Sequence, residues 1–291
     1  MAQENGQYYF DTDDAFNFYK ELWGGENVHI GIYPPGFEPS VEVVLEASHK
    51  SLDHMLDKMA PALTPRENGA GRRKVIDMGS AYGGCARAIA TRFDCEVLCI
   101  ELSGRENEIN RARTKEQKLD HLVKCPAELS FLDTGAPSDS FDVVFSMDSL
   151  LHEGPKCMKE IARVLKPGGT VIFTDIMRSD GVPKAAFKDV FARVPGLETM
   201  GTPAAYVNAG TEHGLRLSGF EERTVDMVNH YSALHAVLSD AHEKGTLKGK
   251  ISDGFILNMV KGLTAWIDQG SKKNLTWGVM TFVKPAEGIN A

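Results

Sequence analysis

The middle of the chain alternates between two hydrophobic periods. Short apolar runs, typical of buried strands, are separated by stretches whose apolar residues recur at helical spacing. The predicted strands are Lys74–Met78, Glu96–Ile100, Leu122–Cys125, Phe141–Ser146 and Thr170–Asp175. The predicted helices between them are Gly84–Phe93, Arg105–Lys118 and Lys156–Leu165. This alternation predicts a parallel sheet with helices on both faces.

The segments on either side of this core are mainly helical in pattern. Ahead of it, a helix capped by Asp11 or Thr12 runs to Leu22, a second covers Val41–Met59, and a Pro-, Gly- and charge-rich linker covers Pro61–Arg73. After the core, the patterns predict helices over Lys184–Arg193 and Pro203–Leu217, a strand over Phe220–Val228, helices within Tyr231–Asp268 and a last strand over Leu275–Lys284.

These elements predict an α/β fold with a Rossmann-like sheet of seven strands. A helical lid is expected from the N-terminus and from insertions before and after strand 6. We therefore expect an N-terminal helical lid and linker over residues 1–73 and a cofactor-binding core over 74–175. Residues 176–291 would hold further lid helices and the last two strands.

Composition and charge narrow the possible partners. The chain has 291 residues and a formal net charge of −8, which disfavours binding to nucleic acid or to an anionic membrane. The first residues are polar, and no apolar run approaches the ~20 residues of a membrane span. The five cysteines form no CxxC pair, and the scattered histidines suggest no metal site. We expect a soluble cytoplasmic protein, either a monomer or a homodimer.

A glycine-containing loop follows the first core strand. In VIDMGSAYGG, Val75 to Gly84, a buried strand enters a tight turn and then a helix, so backbone N–H groups approach a ligand closely. Ala81 stands where a GxGxxG pattern would have its second glycine. We expect Gly79, Ala81 and Gly83 to form a cofactor loop.

Two acidic residues indicate which cofactor the loop binds. Asp77 would repel the diphosphate of a dinucleotide, whereas it would neutralise the α-ammonium group of S-adenosylmethionine. Glu101 ends the second strand, where an acidic group typically binds ribose hydroxyls, and Leu102 follows it. S-adenosylmethionine is therefore the predicted cofactor.

Three further features lie in register with this loop. Phe131 and Leu132, after the third strand, could sandwich an adenine ring. The segment FDVVFSMDSLLHE is a buried strand that delivers Met147, Asp148 and His152 to its carboxyl end, where open α/β sheets bind ligands. The segment VLKPGG ends a helix and turns into the fifth strand. The succession resembles the class I methyltransferase superfamily.

Segments outside the core resemble the sarcosine/dimethylglycine N-methyltransferases. They are DDAFNFYKELWGGENVHIGIY, DSLLHE, TDIMRSDG, MGTPAAY, NHYSAL and LTWGVMTF, and they span almost the whole chain. The resemblance implies N-methylation of sarcosine and dimethylglycine to glycine betaine, an osmoprotectant.

This resemblance implies roles for individual residues. His152 is the candidate proton acceptor for the substrate amine, because it follows the fourth strand. Arg178 offers a bidentate partner for the substrate carboxylate. Tyr206 and Tyr231 lie in family-like lid motifs and are expected to line the catalytic site, and Tyr19 is expected at the cofactor.

Other functions remain open at this point. A methyltransferase for phosphoethanolamine or for a thioether zwitterion is the main alternative. A phosphate substrate would require basic residues near the lid, and the local cluster is Lys184, Lys188 and Arg193. An NAD(P)-dependent oxidoreductase is disfavoured by Asp77 and by the lack of a Tyr-xxx-Lys pair, and a catalytically silent cofactor-binding protein is a further possibility.

Overall fold

The sheet at the centre of the fold has seven strands in the order β3-β2-β1-β4-β5-β7-β6. We describe it from a computed structural model that covers residues 11–65, 71–191, 197 and 200–286. The strands are β1 (Lys74–Met78), β2 (Glu96–Ile100), β3 (Val123–Lys124), β4 (Phe141–Met147), β5 (Leu165–Arg178), β6 (Arg216–Glu222) and β7 (Leu275–Val283).

Strand pairing confirms the predicted α/β fold. β1 pairs in parallel with β2 and β4, β2 pairs in parallel with β3, and β4 does so with β5. β6 and β7 pair in antiparallel orientation. Every residue of β4 is buried, which is typical of a central parallel strand covered on both faces. The carboxyl ends of β1, β2, β4 and β5 therefore meet at one edge of the sheet.

Helices precede the sheet and connect its strands. They are α1 (Asp13–Phe18), which continues as a π-helical turn (Tyr19–Trp23), α2 (Val41–Met59), α3 (Gly84–Phe93), α4 (Gly104–Glu116), α5 (Met158–Val164), α6 (Lys188–Phe191), α7 (Pro203–Glu212), α8 (Thr224–Glu243) and α9 (Asp253–Ser271). Short 3-10 turns cover Ala60–Leu63, Leu150–His152, Gly154–Cys157 and Lys184–Phe187. Within the described residues, no helix is long and apolar enough to cross a membrane.

The predicted boundaries were wrong around the sixth strand. The helix predicted to Leu217 ends at Glu212, because the chain turns at Gly214 with a φ of +79°. The strand predicted over Phe220–Val228 instead runs from Arg216 to Glu222, and α8 has begun by Thr224. β6 lies at the end of the sheet and most of its residues are exposed, so its sequence lacks the apolar alternation that marks a half-buried strand.

Smaller differences occur elsewhere. The fifth strand is longer at both ends than predicted, and the predicted linker at Pro61 starts inside a 3-10 turn. The helix predicted over Lys184–Arg193 is a 3-10 turn followed by α6, and residues 192 and 193 lie outside the described part of the chain. The predicted bounds of β1, β2, α2 and α3 agree with the structure.

The chain groups into two compact units. The sheet unit comprises Asp53–Asp175, Gly201–Glu222 and Gly278–Ala291, and the helical unit comprises Met1–Leu52, Ile176–Met200 and Arg223–Trp277. The helical unit thus combines the N-terminal segment with the two insertions that flank β6 in the sequence. Its core includes Trp266, which is fully buried and packs edge-on against the ring of Tyr231 at 5.5 Å.

Two glycines in the β6–β7 pair provide a test of this packing. A Cβ atom at Gly278 would lie 2.2 Å from the carbonyl oxygen of Glu221, whereas one at Gly219 would have no heavy atom within 4 Å. We expect Gly278→Ala to lower the free energy of unfolding by about 1–3 kcal/mol, because backbone must move to admit the methyl group. Denaturant unfolding measures the change. Gly219→Ala is the matched control, and equal effects of the two substitutions would contradict the described strand pairing.

Candidate active site

Asp77 carries a buried carboxylate near the carboxyl end of β1. Its side chain is 1% exposed, and its Oδ2 atom has no hydrogen-bond partner among the described residues. Burial, and secondly the negative charge of Glu101, raise the pKa of Asp77 to about 7. A buried carboxylate without a donor is unfavourable, so this position is suited to a ligand that brings a positive charge or an N–H group.

Glu101 connects the end of β2 to the glycine loop. Its Oε1 atom accepts hydrogen bonds from the backbone N–H groups of Leu102 at 2.7 Å and Ser103 at 3.0 Å. Its Oε2 atom accepts one from the N–H of Ala81 at 3.1 Å. These three hydrogen bonds fix the carboxylate against the start of the glycine loop.

The glycine loop has little room for side chains. Gly79 and Gly83 have φ values of +82° and +76°. A Cβ atom at Gly79 would lie 2.3 Å from the side chain of Ser149, and one at Gly83 would lie 1.9 Å from Asn110 Oδ1. Ala81 also has a positive φ, +43°, where a glycine would be less strained. The loop therefore has the backbone conformation expected of a glycine turn even where its second glycine is missing.

The sequence patterns did not predict a polar network that contacts the glycine loop. Arg87 is 3% exposed, and its Nη1 atom donates to the carbonyl oxygen of Tyr82 at 2.9 Å and to Asn110 Oδ1 at 3.0 Å. Thr114 also donates to Asn110 Oδ1, at 3.1 Å. One feature of the sequence could have indicated this network: Arg87 lies in the first turns of α3, among small and apolar residues of the kind that pack against a sheet. The network holds the loop from below.

The expected adenine-binding pair lies beside this loop. Ser130 and Asp133 form an isolated bridge that presents Phe131 and Leu132 between them. Phe131 is buried, and its ring edge lies 3.5 Å from the Cβ position of Gly79, whereas Leu132 is 39% exposed. An exposed apolar side chain next to a buried aromatic ring is suited to cover a planar ligand.

The turn after β4 joins the same edge of the sheet. Met147 is buried, with its sulfur 3.8 Å from Cys85 Sγ. Asp148 has a φ of +53°, a strained conformation for a non-glycine residue, and its N–H donates to the carbonyl of Thr174. Ser149 Oγ lies 3.3 Å from the carbonyl oxygen of Gly79 and links the turn to the glycine loop. His152 ends the following 3-10 turn and is exposed.

Tyr206 lies within the sheet unit and is fully buried. Its hydroxyl donates a 2.5 Å hydrogen bond to Asp175 Oδ2, and its ring packs on Phe173 at 5.2 Å. Burial and the neighbouring Asp175 carboxylate raise the pKa of Tyr206 well above its usual range. The hydroxyl is thus a fixed donor to Asp175.

Three predicted site residues lie in the helical unit. Arg178 is half-buried, its Nη1 atom donates to the carbonyl of Val182 at 2.5 Å, and its buried Nε has no acceptor among the described residues. Tyr231 is 1% exposed and packs against Trp266, and Tyr19 is 7% exposed in the π-helical turn. The sheet unit contains the other twelve predicted residues, namely Asp77, Gly79, Ala81, Gly83, Glu101, Leu102, Phe131, Leu132, Met147, Asp148, His152 and Tyr206.

Comparison with known proteins extends these observations. Residues 76–173 match a family described as a methyltransferase domain. The sarcosine/dimethylglycine N-methyltransferase of Halorhodospira halochloris is 36% identical over 98% of this chain and 97% of that protein. The protein of the same name from Aphanothece halophytica is 34% identical over 97% of each. The crystal structure of a candidate sarcosine dimethylglycine methyltransferase from Galdieria sulphuraria is 30% identical, with a TM-score of 0.82 over 94% of this chain and 99% of that chain.

The cofactor is S-adenosylmethionine, and the residues present fit it. Asp77 Oδ2, which has no hydrogen-bond partner among the described residues, would accept from the α-ammonium group, and Glu101 directly follows β2, where an acidic group typically binds ribose hydroxyls. Phe131 and Leu132 would provide apolar surface for the adenine ring.

The pKa of Asp77 predicts how cofactor binding depends on pH. With a pKa of about 7 in the free protein, the carboxylate ionises between about pH 6 and 8, and only the ionised form pairs with an ammonium group. Calorimetric titration should show affinity for S-adenosylhomocysteine rising about tenfold over this interval. Asp77→Asn should weaken binding at pH 8 and remove the pH dependence. Asp94→Asn, at an exposed acid, is the control, and pH-dependent binding by the Asp77→Asn variant would contradict the assignment.

The same shift predicts a change in stability. The raised pKa means that the unfolded chain loses the Asp77 proton first, so the ligand-free protein loses stability as pH rises from about 4 to about 7. An amide cannot ionise, so Asp77→Asn should have a higher Tm than the ligand-free wild type at pH 8. Thermal unfolding without ligand measures this. A lower Tm in the variant would mean that Asp77 is stabilised by the protein itself.

Proposed function

Because this chain belongs to the sarcosine/dimethylglycine N-methyltransferase family, we propose that it methylates sarcosine and then dimethylglycine, with glycine betaine as the final product. The proposal rests on near-full-length similarity to a sarcosine/dimethylglycine N-methyltransferase, combined with the buried Asp77 Oδ2 atom, which has no hydrogen-bond partner in the described part of the chain. Betaine would serve as an osmoprotectant. A cytoplasmic location is consistent with the five cysteines, all of which are free.

The proposed cofactor site lies at the carboxyl edge of the sheet. When bound, S-adenosylmethionine supplies an electrophilic methyl group on its sulfonium. Asp77 would hold the ammonium group, Glu101 the ribose hydroxyls, and Phe131 with Leu132 the adenine. The remaining proposed contacts come from Tyr19, Gly79, Ala81, Gly83, Leu102, Met147 and Asp148.

His152 is the proposed proton acceptor. Sarcosine and dimethylglycine are ammonium ions at neutral pH, and an amine pKa of ~10 means that forming the lone pair at pH 7 costs about 4 kcal/mol. The imidazole of His152 is exposed at the end of the turn that follows β4, the strand edge where ligands bind in this fold. We propose that it receives this proton before methyl transfer.

Arg178 is the proposed partner of the substrate carboxylate. One guanidinium nitrogen is fixed by the carbonyl of Val182, and the buried Nε atom has no acceptor among the described residues. A carboxylate would satisfy that donor and balance the charge. Tyr231 is proposed to contribute an aromatic face for the methylated nitrogen.

A phosphate-bearing substrate has less support. Lys184 and Lys188 are exposed on the segment after β5, and Arg193 lies outside the described residues. The described part of this cluster therefore provides no buried cation for a phosphate.

The substrate proposal is tested by product analysis. S-adenosylhomocysteine release should be measured with glycine, sarcosine, dimethylglycine and phosphoethanolamine offered separately, with mass detection of each product. We expect turnover of sarcosine and dimethylglycine that ends in betaine. Turnover of phosphoethanolamine alone would instead support the phosphate-directed alternative.

The role of Arg178 is tested by changing both protein and substrate. Arg178→Ala should raise the KM for dimethylglycine on the order of tenfold to a hundredfold, because a charge-assisted pair is lost. The KM for S-adenosylmethionine should change little. Lys184→Ala, on the exposed surface nearby in the chain, is the control. An unchanged dimethylglycine KM in the Arg178 variant would exclude it as the carboxylate partner.

His152 is tested through the pH profile of kcat. His152→Gln keeps a polar side chain but cannot accept the proton, so kcat should fall about a hundredfold near neutral pH. The loss should diminish as rising pH deprotonates the amine in solution. If the variant keeps the wild-type pH profile, His152 is not the proton acceptor.

A further inference from the structure

A buried carboxylate lies directly behind the turn that carries His152. Asp175 is in β5, and its side chain is fully buried. Its Oδ1 atom accepts a 3.0 Å hydrogen bond from the backbone N–H of Leu151, and its Oδ2 atom accepts the 2.5 Å hydrogen bond from Tyr206. Leu151 immediately precedes His152, so Asp175 connects β5, α7 and the histidine turn.

A second contact joins the start of α7 to the same region. A Cβ atom at Gly201 would lie 2.8 Å from Pro155 Cδ and 2.9 Å from Tyr206 Cε2. Pro155 lies in the 3-10 turn that follows His152. The segment around Gly201 therefore packs closely against the chain just after His152, while Asp175 binds the chain just before it.

The backbone hydrogen bonds within the His152 turn join residues that are three positions apart. The N–H of His152 lies 3.4 Å from the carbonyl oxygen of Ser149, and that of Glu153 lies 3.0 Å from the carbonyl oxygen of Leu150. Short 3-10 turns have weak hydrogen-bond geometry, and this one follows the strained residue Asp148. The hydrogen bond from the Leu151 N–H group to Asp175, which lies outside the turn, would therefore fix the orientation of the turn and of the His152 side chain.

We propose that Asp175 and Tyr206 are positioning residues that hold His152 in its working orientation. The inference rests on the proposed role of His152 as proton acceptor. Tyr206 acts through Asp175, because its hydroxyl donates a hydrogen bond to this buried carboxylate, and the same carboxylate accepts a hydrogen bond from the Leu151 N–H group in the histidine turn. This also gives a physical reason for a tyrosine at this position of the MGTPAAY segment.

The test combines NMR spectroscopy with kinetics on the full chain. The His152 ring signal is assigned by its disappearance in His152→Gln. Tyr206→Phe keeps the buried ring and removes only the hydroxyl, and Asp175→Asn is the second variant. Thr134→Val is the matched control, because it also removes a buried hydroxyl-to-carboxylate bond, the 2.6 Å contact with Glu160.

We expect Tyr206→Phe to shift the His152 signal and its titration midpoint, and Thr134→Val to leave both unchanged. The kcat for dimethylglycine should fall about tenfold to a hundredfold in Tyr206→Phe, while the KM for S-adenosylmethionine stays near the wild-type value. A His152 signal identical to wild type in Tyr206→Phe, with only a loss of Tm like that of the control, would overturn the inference.

The NMR measurement does not require turnover, which separates this inference from the substrate proposal. If the wild type methylates neither sarcosine nor dimethylglycine but Tyr206→Phe shifts the His152 signal, the positioning role stands and the substrate proposal fails. If the wild type makes betaine and the His152 signal does not respond, the positioning role fails alone.

Discussion

The cofactor site depends on the buried carboxylate of Asp77, whose Oδ2 atom has no hydrogen-bond partner among the residues that the structure describes. Burying an ionised carboxylate without a hydrogen-bond donor destabilises the folded protein. The pKa of Asp77, which is raised to about 7, reflects this effect. Pairing of the carboxylate with a positively charged ligand would remove this destabilisation. Because Asp77 lies just before the glycine loop on a central strand, we propose that its partner is the amino-acid end of S-adenosylmethionine.

The surrounding groups follow from the parallel arrangement of the strands. Because β1, β2, β4 and β5 run in the same direction, their carboxyl ends place Asp77, Glu101, Asp148 and Asp175 along one edge. Two of these acids accept several hydrogen bonds from other groups of the protein. Glu101 binds backbone N–H groups of the loop, and Asp175 binds Tyr206 and the histidine turn. Carboxylates at this edge therefore stabilise the protein itself, and we propose that Asp77 and Glu101 also bind the cofactor.

The sequence predicted the elements whose position is determined by local hydrophobic patterns and turn residues. The buried runs of β1 and β2 and the glycine turn gave correct bounds, because burial on both faces leaves a continuous apolar signal. β6 was misplaced because it is largely exposed. Neither the bond from Tyr206 to Asp175 nor the network of Arg87 was predicted, since each joins residues that are distant along the chain or buried by tertiary packing. Which residues bind cofactor and substrate stays a prediction.

The most direct test of the central claim is the proton balance of cofactor binding. Calorimetry with S-adenosylhomocysteine at pH 7, in buffers of different ionisation enthalpy, counts the protons exchanged. An Asp77 pKa of about 7 in the free protein predicts release of about half a proton, which should vanish in Asp77→Asn. Equal proton balance in wild type and variant would contradict the claim that this carboxylate ionises to receive the ligand.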